Sequence, residues 1–393
     1  MSRYTFSINT VVMILGAGVL AAVSWSAPVA ALEEAGRYLF VPNRASADVA
    51  IIDRASQELV AHVQVGRVPH QVVVSDRLAK MVVSNTEDDT ISIIDLKTLK
   101  TEATLTLGQE PEHMQLAPDG QVLAVGNIGA GTVSLVSLTD NRELARVDGL
   151  FEPHNLTFSP DGRLLYVANL GADHVSVIDV AEARVVNEIP VAEPTPLAAA
   201  GDPESMEYQG IINVTRTPDG RLGFAVHGEG NVMAVIDLRS QKKIKSLALG
   251  ELPWRAYSTA DGRYMLVPNN GDRTVSVIST DSLEVVATLP GAEDMTGVNS
   301  GWFETTAFVI SRGENKVVVL DLVELKKVGE IALPGTPETG VTTPDGRTLY
   351  VALSGSNQVA VIDIHTRQLV KTIDDVGDEP WGATMAGALN YCH

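Results

Sequence analysis

Cysteine is nearly absent: Cys392 is the single one in 393 residues. One thiol excludes an intrachain disulfide, a CxxC zinc or redox site, and a CxxCH for covalent c-type haem. Basic residues are also scarce, 29 Lys and Arg against 49 Asp and Glu, giving a formal charge of -20. Such a balance argues against nucleic acid and against anionic lipid surfaces. A long apolar run is missing too. The longest covers residues 11–23, which are 13 residues, too short to span a bilayer comfortably. It follows Arg3 and leads into small residues ending in Val29, Ala30 and Ala31. That is the pattern of a secretory leader cleaved after Ala31. Removal of residues 1–31 leaves 362 residues and, with Arg3 gone, a charge of -21. The expectation is a periplasmic or secreted monomer with no membrane span after cleavage. Without disulfides such a protein needs a large apolar core, and 45% hydrophobic residues can supply it.

Helical periodicity is nearly absent after the leader. In its place a short apolar run recurs. YLFVPN begins at Tyr38, KMVVSN at Lys80, VLAVGN at Val122 and LLYVAN at Leu164. LGFAVH begins at Leu222, YMLVPN at Tyr264, TAFVIS at Thr306 and TLYVAL at Thr348. The steps are 42, 42, 42, 58, 42, 42 and 42 residues. About ten residues after each start an alternating run closes on Asp53, Asp95, Ser137, Asp179, Asp237, Ser279, Asp321 or Asp363. Alternation is the mark of a half-buried strand, and the PDG and ADG turns ahead of most copies supply the backbone a tight hairpin needs. A period near 42 with several short strands per copy specifies a β-propeller of four-stranded blades. Eight copies give eight blades in an all-β chain. The first copy lacks an innermost strand, and residues 380–388, starting Pro380-Trp381, match that strand's pattern. The ring is therefore expected to close by this C-terminal strand pairing in blade one, making residues 32–393 one domain.

The YVAN run at Tyr166 with VSVID at Val175, and YVAL at Tyr350 with VAVID at Val359, resemble the YVTN-type β-propeller repeat family. The resemblance covers almost all of the chain after the leader. It implies an exported propeller. Related proteins include surface-layer proteins, accessories of quinone-dependent alcohol oxidation and the eight-bladed haem d1 domain of nitrite reductases. Fold does not by itself assign function.

Chemistry is sought where the copies differ. The turns leading into the innermost strands and the loops after the second strands share one face. Aligned on the leading Pro, the ring reads His70, Glu112, His154, Ile212, Trp254, Thr296, Glu338 and Trp381. The next position reads Gln71, His113, Asn155, Asn213, Arg255, Gly297, Thr339 and Gly382. His227 stands in a second-strand loop where five other copies carry Asn. His70, His113, His154 and His227, with Glu112 and Glu338, are candidate ligands for a transition metal (Zn, Cu or Fe), and an imidazole can equally be an axial haem ligand. The same residues can instead satisfy buried backbone groups beside the channel. Trp254, Arg255 and Trp381 are candidates for stacking a planar cofactor and meeting its carboxylate, or for packing blades together. The 58-residue step places an insertion at 192–210, and Cys392 with His393 ends the chain.

Two functions follow. One is an exported binding or scaffold protein, accessory to a periplasmic redox or metabolic pathway, with a basic periplasmic protein or a small-molecule ligand as partner. The other is a metal- or haem-dependent oxidoreductase built on the histidines. A lactonase-like hydrolase occurs among other propellers, but no residue here singles it out.

Overall fold

The structure, a computed structural model, describes residues 32, 34–193, 210–301 and 303–386. Residues 1–31, expected to be a leader, most of the insertion, and Cys392 with His393 lie outside the described residues. Seven four-stranded antiparallel sheets and one three-stranded sheet follow one another. The second strand of every blade starts where the sequence repeat starts, from Tyr38–Asn43 through Thr348–Leu353. The third strands end on the repeated Asp or Ser, from Asp48–Asp53 through Gln358–Asp363. The second and third strands are almost wholly buried, because neighbouring blades cover both of their faces. The outer strands alternate exposed and half-buried residues, as in Glu58–Gln64. A register shift recurs between the third and outer strand of all eight blades, a device that twists a strand near a sheet edge.

The core is divided among the interfaces. Eight apolar clusters fill the eight junctions between neighbouring blades. One of them joins Val341, Tyr350, Val359 and Val361 of the last blade to Leu39, Val41, Ala50 and Ile52 of the first, so the blades form a ring. Each fully buried Ile or Phe stabilises it by ~1.5–3 kcal/mol. The C-terminal segment runs beside the first blade. Phe40 and Thr384 exchange backbone hydrogen bonds at 2.8 and 2.9 Å, and Trp381 N–H donates to the Pro42 carbonyl at 2.9 Å. These are isolated bridges, at Phe40–Thr384 and Asn43–Pro380, and residues 387–388 are outside the described part.

The repeated polar residues hold the turns. Asp161 accepts from Ser159 and Arg163 and so fixes a hairpin in which Gly162 adopts φ +71. Asn127 is fully buried and donates to Thr132 and Ser134, and Asn269 does the same to Thr274 and Ser276. Among the described residues no helix is long and apolar enough to cross a membrane.

Candidate ligand site at the channel mouth

The innermost strands, among them Pro69–Ser75, Pro111–Leu116, Pro153–Phe158 and Ile211–Arg216, line the central channel. Their first residues form its mouth. In blade six the innermost strand shrinks to Tyr257–Ser258, and Trp254 and Arg255 occupy the irregular stretch before it. A shift in register after the leading residue breaks the strict alternation in six blades. That shift decides which side chains meet.

Three histidines from consecutive blades meet. The rings of His70 and His113 lie 5.1 Å apart, those of His113 and His154 4.0 Å apart, both edge to face. All three are buried. His154 has both nitrogens engaged. Arg255 Nη2 donates to its Nε2 at 3.1 Å, and its Nδ1 donates to the Ile212 carbonyl at 2.8 Å. A guanidinium can only donate, so His154 is the neutral Nδ1–H tautomer. Burial, then the charge of Arg255, keeps it neutral well below the ordinary imidazole range. Burial likewise holds His70 down to about 3, aided by the charges of Arg44 and Arg255.

Glu112 lies 3.9 Å from His113 Nε2, with 26% of its side chain exposed. Burial among its neighbours pushes its carboxyl up to about 7, against the pull of Arg44 and Arg255. Trp381 flanks His70 at 6.3 Å, and the Arg44 guanidinium lies 4.1 Å from the Trp381 ring centre. Arg255 lies 5.2 Å from the Trp254 ring centre. Trp254, Arg255 and Trp381 thus come to the same mouth as the three histidines.

His227 and Glu338 are held otherwise. His227 donates from Nε2 to Asp173 at 2.7 Å and accepts the Gly230 N–H at Nδ1 at 2.9 Å, a turn-holding role like that of the Asn residues in other blades. Glu338 accepts from Ser354 and lies 3.6 Å from Arg312; burial raises its carboxyl. Among the described residues the group spaced to hold a metal ion is Glu112, His113 and His154.

Arg44 was not among the sequence candidates. It follows Asn43 in a second-strand loop where other copies carry Thr86, Ile128, Leu170, Gly228, Asn270 and Ser354. A cation at a position otherwise uncharged but for Arg312 was the available signal.

A family model described as a YNCE-like beta-propeller matches residues 76–388. The chain is 30% identical over 119 residues to the seven-bladed beta-propeller protein Rv1057 of Mycobacterium tuberculosis, covering 29% of this chain and 30% of that one. It is 25% identical over 180 residues to antigen Lp49 of Leptospira interrogans, covering 40% and 39%. The chain therefore spans less than half the length of either curated relative. The solved structure of the dihydro-heme d1 dehydrogenase NirN in complex with DHE matches with a TM-score of 0.72 at 17% identity, over 89% of this chain and 75% of that one. Kuenenia stuttgartiensis hydrazine synthase matches with 0.58 at 22% identity, over 75% and 95%. A functionally unknown protein from Desulfotomaculum acetoxidans matches with 0.60 at 13% identity, over 89% and 98%. At these identities the likeness to solved structures is one of fold.

Proposed function

We propose that this chain, which belongs to the YNCE-like beta-propeller family, is an exported binding protein whose channel mouth holds a planar, carboxylate-bearing ligand of the tetrapyrrole type, as an accessory to a redox pathway outside the cytoplasm. The observation that carries the reading is a buried edge-to-face row of imidazoles with two guanidiniums, Arg44 and Arg255, bearing on it. Guanidiniums meet ligand carboxylates with charge-assisted hydrogen bonds. Trp381 and Trp254 offer flat faces beside them. His70 stays unprotonated at neutral pH, the state an axial nitrogen ligand requires. The NirN structure, described as a complex with DHE, supports the fold's capacity for such a ligand.

A bare transition-metal ion is the second reading, favoured by the spacing of Glu112, His113 and His154. The surroundings fit it less well. His154 has both nitrogens in use, one of them facing a cation. A positive ion would also sit near Arg255 without the neutralising carboxylates a tetrapyrrole brings. When bound, an iron tetrapyrrole supplies redox and ligand-exchange chemistry. The chain's own residues bind its anionic edge, fix its plane and exclude water. Export is supported by the charged, apolar and small-residue order of residues 1–31.

The test is an absorbance titration of the purified mature protein with ferric haem. Saturable binding of one haem per chain is expected, weakened at least about tenfold, equivalent to ~1.4 kcal/mol, by Arg44→Ala or by Arg255→Ala. His70→Ala is expected to alter the bound spectrum. Absent binding, or binding indifferent to all three changes, counts against the reading. One zinc, copper or iron per chain in the untreated protein, lost in His113→Ala, favours the bare ion instead.

A further inference from the structure

Along the innermost strands, beyond the histidines, lies a chamber of about 450 Å³, within the ~300–1,000 Å³ range of small-molecule sites. Its wall comes from the innermost strands of blades two to six and from Met385 of the C-terminal segment. The chain carries 49 acidic residues, yet the chamber lining contains no carboxylate and two arginines, Arg216 and Arg255. In so acidic a protein this is a local reversal of charge.

The end nearest the mouth is made by Gln71, Asn155 and Arg255. Hydrogen bonds decide how the two carboxamides face. The Met114 N–H donates to Gln71 Oε1, and the Val214 N–H donates to Asn155 Oδ1 at 3.1 Å. Each carboxamide oxygen is thus committed to the next blade. The NH2 group is the end left to face the chamber, and an NH2 only donates. Both side chains are half-buried rather than sealed. Asn213 differs: its oxygen takes the Ala256 N–H, and its nitrogen serves Thr215 and the Ala256 carbonyl. Arg255, 2% exposed, adds a guanidinium to the same end. Leu116, Val74 and Met385 supply apolar wall.

We propose that this chamber is a second binding site, for a small organic anion: a carboxylate with a short apolar body, its charge held by Gln71, Asn155 and Arg255. It shares Arg255 with the mouth, while Gln71 and Asn155 belong to the chamber alone.

The test is calorimetric titration of the purified mature protein with acetate and with propionate, against chloride at matched ionic strength. One carboxylate site is expected. Asn155→Asp and Gln71→Glu each keep an oxygen for the neighbouring N–H while exchanging the donor for a negative charge. Each is expected to weaken carboxylate binding at least about tenfold with little change in melting temperature, since the bond to the next blade survives. Arg44→Ala, outside the chamber, is expected to leave carboxylate binding intact while weakening haem at the mouth, so the two sites fail separately. Heats no greater than chloride's, or undiminished carboxylate binding in both folded acidic variants, overturn the proposal.

Discussion

Replacing Glu112 by Gln changes the pH dependence of stability in a way that the mouth geometry dictates. Burial raises the folded Glu112 carboxyl from 4.5 to about 7. The unfolded chain loses that proton near 4.5, while the folded chain keeps it until about 7. The group's contribution is therefore complete below 4.5, declines as pH rises through that window and is flat above it. At ~1.36 kcal/mol per tenfold in proton affinity, the decline amounts to about 3 kcal/mol. His70 works the other way. Its folded value lies at about 3 against an ordinary 6.5, so its contribution is complete above 6.5 and is lost as pH falls toward 3. Between 4.5 and 6.5 the two slopes oppose each other in the native sequence. Glu112→Gln removes one of them. The variant is expected to match the parent at pH 4 and to exceed it by up to about 3 kcal/mol at pH 8. Its stability should also climb between pH 4.5 and 6.5, where the parent's is flatter. Denaturant unfolding of both proteins from pH 4 to 8 measures this directly. A difference that stays constant with pH refutes the reasoning, because it means that Glu112 titrates alike in both states.

His227→Ala should cost ~1–3 kcal/mol, because it strands the Gly230 N–H and takes one partner from Asp173, whereas His227→Asn should cost less; neither should change haem affinity in titration, since His227 holds a turn. Tyr166→Phe should cost ~1 kcal/mol in denaturant unfolding, because the buried Tyr166 hydroxyl donates to the Leu238 carbonyl of the next blade at 2.7 Å. A loss too small to measure there shows that the bond across the interface adds nothing.

Strand placement was legible in the sequence because it is set by local alternation repeated eight times. Tyr38, Lys80 and Val122 begin second strands where the repeat put them, and each copy confirms the others. Side-chain convergence at the mouth is a different kind of property. His113 occupies the second aligned position and His70 and His154 the first, yet the three rings meet edge to face. The register shift after Pro69, Pro111 and Pro153 breaks the two-residue alternation that would have put them on opposite sides. His227 carried a histidine's chemistry in the sequence but an asparagine's position, and the position governs its hydrogen bonds. Arg44 lies in a loop outside the aligned strands, so its approach to Trp381 and to the Glu112–His70 pair follows from the ring rather than from the repeat. The facing of the Gln71 and Asn155 amides depends on the neighbouring blade and has no sequence signature.

The central claim is that the mouth is where the ligand binds, and a crystal structure of the mature protein grown with ferric haem tests it most directly. The account predicts haem density at the mouth, its carboxylates at Arg44 and Arg255 and an imidazole nitrogen of the His70–His113 pair on the iron. Haem on the outer surface of the blades, with the mouth side chains unmoved, contradicts it.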